Sequence, residues 1–249
     1  MVSVIIPYHN NEDTLERAVR SVLEQTYKNL EVIIVDNGSD EPLKAENELY
    51  MDPRVKTYIT PELLGASGAR NAGIKLATGD YIAFLDADDY WEKDKLDKQL
   101  KVMERFRYKG EAPVICFTGR ELVDENGNKL GRYIGCNKIV DYKMLLRSNQ
   151  INCSSVLIKA SDLGEMTFPK GNLHEDYVLW LKLLQKGGYA AGINRPLLNY
   201  RVSSKSKSGN KLKSAMMNFR VYRYLGFGLF ETMLHMLTYT LAGIKKHYL

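Results

Sequence analysis

Cysteine is scarce in this sequence: Cys116, Cys136 and Cys153 stand far apart among 249 residues. No pair has the spacing of a zinc site or a redox motif. Three lone thiols also exclude a disulfide scaffold and are what a reducing cytosol would be expected to hold. Long hydrophobic runs are missing as well, since no uncharged apolar stretch reaches the ~20 residues of a membrane-spanning helix. The opening Met1-Val2-Ser3-Val4-Ile5-Ile6-Pro7 has neither a basic region nor a cleavage site, so no signal peptide is expected. Strong charge of one sign is absent over most of the chain. Residues 205–249 hold eight Lys or Arg against one acid, Glu231, a net +7; with +5 overall, residues 1–204 carry −2. No nucleic acid is expected as a partner, and only the tail is basic.

What is present is the composition of a globular α/β protein. Apolar residues make up 45% and charged residues 26%. The length suits one large domain, or a domain with an appendage. Residues 2–6 read as a buried strand ended by Pro7. Asn10 or Asn11 is placed to cap a helix with Leu15, Ala18, Val19, Val22 and Leu23 on one face. A second strand, Glu31–Val35, runs into the turn-rich Asp36-Asn37-Gly38-Ser39-Asp40. A weak helix is expected over 42–50, a strand over 55–59 and a helix over 66–77. Strands alternating with helices imply a mostly parallel, Rossmann-like sheet.

The next strand, Tyr81–Leu85, leads into Asp86-Ala87-Asp88-Asp89. Carboxyl ends of parallel strands are where α/β sheets bind ligands. Three like charges at this spacing repel and raise one another's pKa. A divalent cation such as Mg²⁺ or Mn²⁺ relieves that repulsion with hard oxygen ligands. The plainer reading is a solvated turn before a helix beginning near Glu92. Downstream, a helix to about Arg107, a strand at 114–118, a hairpin at Asn126-Gly127, strands at 153–159 and 197–202 and a helix over 174–186 are expected. The chain is expected to be helical from Asn210.

Four further groups carry potential chemistry. Asp36 can accept from a nucleobase or ribose, or only from its own turn. Gly65 to Gly73 is a small-residue helix start that can approach a phosphate closely, with Arg70 as a partner for diphosphate or for the acids. His174-Glu175-Asp176 places two acids at a helix start, either to complement its dipole or to supply a general base. Tyr200-Arg201 and the lysines after it could close over a diphosphate.

In order and spacing, the runs Val4–Asn10, Val35–Ser39, Gly68–Gly73, Gly79–Asp89 and His174–Asp176 resemble the family 2 glycosyltransferases over roughly residues 1–205. The tail looks like that of bacterial enzymes building O-antigen, lipooligosaccharide or capsule repeat units. The resemblance implies a GT-A fold, with a nucleotide-sugar part over about 1–110, an acceptor part over about 111–205, and a helical extension over 206–249. It implies an inverting transferase using a nucleotide sugar, usually a UDP-sugar. Pro7, Tyr8, Asn10 and Glu12 would line the nucleoside pocket, and Asp36 and Gly38 the uracil end. Ser67, Arg70, Asp86, Ala87 and Arg201 would contact the donor. Asp88 would ligate Mn²⁺ or Mg²⁺, and Asp176 would be the base. His174, Glu175 and Trp180 are expected to line or support the acceptor side. No histidine stands where the family often adds a phosphate or metal contact; Arg201 stands there instead. The Gln-x-x-Arg-Trp of processive members is missing, so one sugar per acceptor is expected.

Other readings stay open at this point: a retaining transferase, a sugar-nucleotide pyrophosphorylase, or a non-catalytic nucleotide-sugar-binding protein. The tail places Leu229, Phe230, Met233, Leu234, Leu237, Leu241 and Ile244 near one helical face, with basic residues at both ends. Such a helix suits an anionic membrane surface. That would put a lipid-linked saccharide acceptor and a peripheral site on the cytoplasmic leaflet within reach. The alternatives are packing on the catalytic domain or in a homodimer.

Overall fold

A computed structural model describes residues 1–41, 43, 48–202 and 211–248, the last five of these and residue 211 as helical backbone only. In order, the elements are β1 (Val2–Tyr8), α1 (Glu12–Leu23), β2 (Leu30–Asp36), β3 (Val55–Ile59), α2 (Gly65–Leu76), β4 (Tyr81–Phe84), β5 (Tyr90–Trp91), α3 (Lys95–Arg105), β6 (Ile115–Val123), β7 (Lys129–Ile134), β8 (Ile139–Val140), α4 (Tyr142–Arg147), β9 (Leu157–Lys159), α5 (Ala160–Leu163), α6 (Glu175–Gln185), β10 (Ala190–Arg201), α7 (Lys211–Tyr224) and α8 (Leu229–Tyr248).

The sheet runs β3-β2-β1-β4-β9-β6-β10-β5, with β7 on β6 and β8 on β10. Its first four strands are parallel, in the register Tyr8↔Asp36 and Ile5↔Phe84. Strand order reverses at β1, which is flanked by β2 and β4. That is the switch point at which an α/β sheet opens a ligand crevice. The second half departs from the parallel expectation: β9 lies antiparallel to both β4 and β6, and only β10 and β6 pair in parallel.

Alternation along β1 divides the core. Val4 and Ile6 pack with Leu15, Val19 and Val22 of α1, whereas Ile5 faces Phe84, Phe117 and the α6 side chains. Gly73 lets α2 lie against β1, because a Cβ there would strike the Ile5 side chain. The small-residue reading of α2 is therefore a packing requirement as well.

Several local expectations are corrected. Asn11 occupies the N-cap of α1 but its side chain makes no capping bond, and Asn10 adopts φ 51°. Instead Asn10 clasps Asp40, giving a 2.8 Å bond and receiving one of 3.0 Å. Cys153–Ser155 is a 3₁₀ turn rather than strand, because the Asn152 side chain accepts from the Ser154 amide at 2.9 Å. The helix after the acidic cluster begins at Lys95. Strands β5 and β8, of two residues each, carry too little periodicity to be foreseen. The expected helix over 42–50 and the loop over 203–209 fall largely outside the described residues; 48–51 form a 3₁₀ turn.

The helix α6 is buried on more than one face: Tyr177, Val178, Leu179, Trp180, Leu181, Leu183 and Leu184 are all buried. Later elements cover its second face. Val221 and Tyr222 of α7 are core residues, and the Tyr222 hydroxyl donates to the Leu146 carbonyl at 2.8 Å. Packing thus runs straight across residue 205. Met236 and Tyr239 of α8 touch the same core, leaving Leu229, Phe230, Met233, Leu234, Leu237 and Leu241 exposed on its other side.

Candidate active site

A cavity of about 620 Å³ opens at the carboxyl ends of β1, β2 and β4. Pro7 and Tyr8 come from β1, Asn37 from the loop after β2, and Arg70 from α2. Asp86, Ala87 and Asp88 follow β4, and His174, Glu175 and Asp176 start α6. Elements more than a hundred residues apart therefore converge on one space.

Its centre is an ion-pair network. Buried Arg70 donates from Nη2 to Asp86 at 2.6 Å and from Nη1 to Glu175 at 3.4 Å. Burial opposes its charge, but the surrounding acids raise its pKa above the ordinary value. Asp176 adjoins this pair, its Oδ1 accepting from the Tyr177 amide at 2.7 Å. Burial first, and Glu175 second, raise the Asp176 pKa to about 6. A carboxylate poised there can take a proton near neutral pH. His174 is held by Ser214 of α7 at 3.2 Å, and burial lowers its pKa.

Asp88 is half-buried, and its pKa is raised by burial and then by Asp86. Asp89 is buried rather than solvated, which removes the plain acidic-turn reading. Its Oδ1 accepts from the Arg201 amide at 2.9 Å, and its Oδ2 has no protein partner. Burial, Asp86 and Asp88 push its pKa well up. Among the described residues no three potential ligands converge as a closed metal cage. The chemistry of the donor set still fits a hard cation. Half-buried carboxylates that repel one another supply oxygen from one side, and Mg²⁺ commonly takes one or two carboxylates plus substrate phosphates.

Other expected residues lie elsewhere. Asp36 is buried and absent from the cavity wall, its two oxygens accepting from the Ser39 and Leu43 amides at 3.0 and 3.2 Å. Its neighbour Asn37 takes the wall position, and also accepts from the Leu64 amide at 2.8 Å. Gly38, at φ +69°, makes that turn affordable to the backbone. Asn10 and Glu12 line an adjoining cavity of about 300 Å³ that shares Tyr8 with the main one. Ser67 lines a different flanking cavity. Arg201 lies behind the acidic cluster, lowering the Asp88 pKa, while Tyr200 reaches the cavity. Trp180 is 0% exposed, tilted against Phe84 and edge-to-face with Phe168, so it cannot touch an acceptor; its support is packing from behind. Asn152, Cys153 and Met217 line the cavity without having been anticipated. No local motif marks them, and Met217 arrives on a helix that the sequence alone leaves apart.

Residues 3–156 match the family model described as glycosyl transferase family 2. The chain belongs to that family. It is 38% identical over 226 residues to a protein of Bacillus subtilis named putative teichuronic acid biosynthesis glycosyltransferase TuaG, covering 90% of this chain and 87% of that one. It is 32% identical to the Escherichia coli UDP-Glc:alpha-D-GlcNAc-diphosphoundecaprenol beta-1,3-glucosyltransferase WfgD, covering 99% and 95%. The solved structure of S. aureus TarS 1–349 with UDP-GlcNAc superposes with a TM-score of 0.73 at 16% identity, covering 96% of this chain and 71% of that one. The mannosyltransferase PcManGT from Pyrobaculum calidifontis, in complex with GDP-Man and Mn²⁺, gives 0.68 at 18%, covering 96% and 69%. The fold is therefore GT-A, and the protein is a glycosyltransferase.

Proposed function

We propose that this glycosyltransferase moves one sugar from a UDP-sugar to a saccharide on a lipid-linked acceptor, with inversion, in bacterial surface polysaccharide synthesis. The observation that carries the reading is the convergence of Asp176 with Asp86 and Asp88 in one cavity. Asp176 takes the acceptor hydroxyl proton as that oxygen attacks the anomeric carbon. The bond to the diphosphate breaks, and the nucleotide leaves with the electron pair. A single displacement on an α-linked donor gives a β-linkage, the linkage named for WfgD.

Asp88, with Asp86 beside it, would hold Mn²⁺ or Mg²⁺, which when bound takes up the charge of the leaving diphosphate. Arg70 keeps Asp86 and Glu175 in place around the reacting centre. Pro7, Tyr8 and Asn37 line the nucleoside end, with Asp36 and Gly38 shaping the loop beneath it. Arg201 biases the acidic cluster from behind. Residues 1–205 supply the donor and acceptor parts, and 206–249 an extension.

That extension places its exposed stripe on an anionic leaflet. Support comes from the exposure of Leu229, Phe230, Met233, Leu234, Leu237 and Leu241 beside a basic sequence. Among the described residues no helix is long and apolar enough to cross a membrane.

Donor hydrolysis tests the function. UDP-, GDP- and dTDP-sugars are incubated with full-length protein and Mn²⁺. Release of UDP from a UDP-sugar is the expected result, with the product anomer read by NMR once an acceptor is found. Hydrolysis of none of the three classes overturns the proposed metal-dependent donor chemistry, and hydrolysis of GDP- or dTDP-sugars alone overturns the UDP assignment.

A further inference from the structure

Beside the catalytic cavity lies the flanking one of about 240 Å³, which the proposed reaction has not used. The two share Gly65, Ala66, Glu175 and Met217 in their walls, so they are neighbours across the start of α2 and the start of α6. Their electrostatics differ in sign. The catalytic cavity gathers Asp86, Asp88, Glu175 and Asp176 against Arg70. The flanking cavity is lined by Lys170 and Lys213, by the Ser67 hydroxyl, and by one acid, Glu175, which already faces Arg70.

Lys170 sits in a loop before α6 whose next residue, Gly171, has φ +133°; Arg220 of α7 donates to the Asn172 carbonyl at 2.9 Å. Lys213 comes from α7, flanked by Leu212, 85% exposed, and Met216, 53% exposed. Cations therefore stand at the mouth next to an exposed apolar strip, with Leu173 and Met217 apolar inside. A free anion has no use for that strip, but an amphiphile with an anionic head does.

Resting on the acceptor class proposed above, we propose that the flanking cavity is the subsite for the diphosphate of a prenyl-diphosphate-linked acceptor. Lys170, Lys213 and Ser67 receive the phosphate oxygens, and the amides opening α2 add donors to the same space. The lipid leaves over Leu212 and Met216. The attached saccharide crosses Glu175 into the catalytic cavity, where its hydroxyl meets Asp176. With the donor's diphosphate taking up the catalytic cavity, the lysine-lined cavity beside it is the place where the acceptor's diphosphate meets cations.

The test is calorimetric titration of full-length protein, loaded with saturating UDP, using geranyl diphosphate, geraniol and inorganic diphosphate as probes. Geranyl diphosphate is expected to bind, and both others to bind more weakly. The exposed pair Lys170→Gln and Lys213→Gln together should weaken geranyl diphosphate by about tenfold, and Lys170→Glu with Lys213→Glu by more, with UDP affinity unchanged. Asp88→Asn should leave geranyl diphosphate binding as it is, because that residue belongs to the donor cavity. This contrast holds whether or not UDP is the true nucleotide, so failure of the donor assignment is read separately from failure here. Absent binding, or binding indifferent to both lysine pairs, overturns the subsite. Inorganic diphosphate binding as tightly as geranyl diphosphate overturns the lipid assignment.

Discussion

Arg70 and Glu175 lie 105 residues apart in the chain, yet the guanidinium of one reaches the carboxylate of the other at 3.4 Å. The same guanidinium holds Asp86 at 2.6 Å, so one buried cation ties the donor side to the acceptor side. Removing it leaves two acids facing each other. Loss of one partner of a buried pair typically costs ~3–5 kcal/mol. Arg70→Ala is expected to lower unfolding stability by that order in urea titrations. Arg70→Lys should keep more stability yet slow donor hydrolysis, because an ammonium lacks the fork that spans both acids. Wild-type stability in Arg70→Ala would remove the network from the account.

Asp176→Asn should lower kcat for transfer by ~10²–10⁴ with little change in donor KM, as expected for a group needed only in the transition state. In the wild-type enzyme the base is ionised above about pH 6 and protonated below it. The transfer rate should therefore fall about tenfold per unit as pH drops below that value. A flat profile between pH 5 and 7 would return Asp176 to a helix-start role.

Asp88→Asn should leave the fold intact, because the side chain is half-buried and the change to an amide keeps its size. Mn²⁺-dependent UDP-sugar hydrolysis should fall to near background, since a neutral amide is a poor ligand for a hard cation. Removing divalent cations with a chelator should mimic the substitution in wild-type protein. Equal Mn²⁺ activation of both proteins is the outcome against the metal role.

Glu31 gives a pH prediction for the fold. Burial alone would raise its pKa, but Lys56 at 2.7 Å, Ser3 at 2.6 Å and the Thr78 amide and hydroxyl hold it at about 2, against an ordinary 4.5. A carboxylate with a depressed folded pKa contributes stability present above pH 4.5 and lost as pH falls through 2. Glu31→Gln should therefore destabilise the protein at pH 7 and flatten the stability curve between pH 4.5 and 2. Guanidinium melts at those pH values measure it, and parallel curves for both proteins would refute it.

The exposed stripe of α8 should bind anionic vesicles at low salt and release them at high salt. Leu234→Asp with Leu237→Asp should abolish co-sedimentation, both residues being more than half exposed. Point substitutions are used because removing the whole tail would also take Val221 and Tyr222 out of the core. Full-length protein that stays in the supernatant, or that instead dimerises through the stripe in sedimentation velocity, would dismiss the membrane reading.

The sequence alone carried the succession of strands β1 to β4 along the chain, the carboxylates ending β4 and the acid pair starting α6, because these are local. An apolar run bounded by turn residues declares a buried strand whatever lies beyond it. Tertiary structure decided the rest. That Asp36 accepts from the Ser39 and Leu43 amides while Asn37 lies on the cavity wall is decided only by the packed loop. Trp180 looked available on a helix face until α4 and α7 covered that helix from the other side. Met217 and Ser214 reached the site, and Lys213 its flank, through the docking of α7 on α6, a contact between segments with no shared local signal. Ion pairs such as Arg70 with Glu175 depend on distance in space, and spacing along the chain says nothing of it.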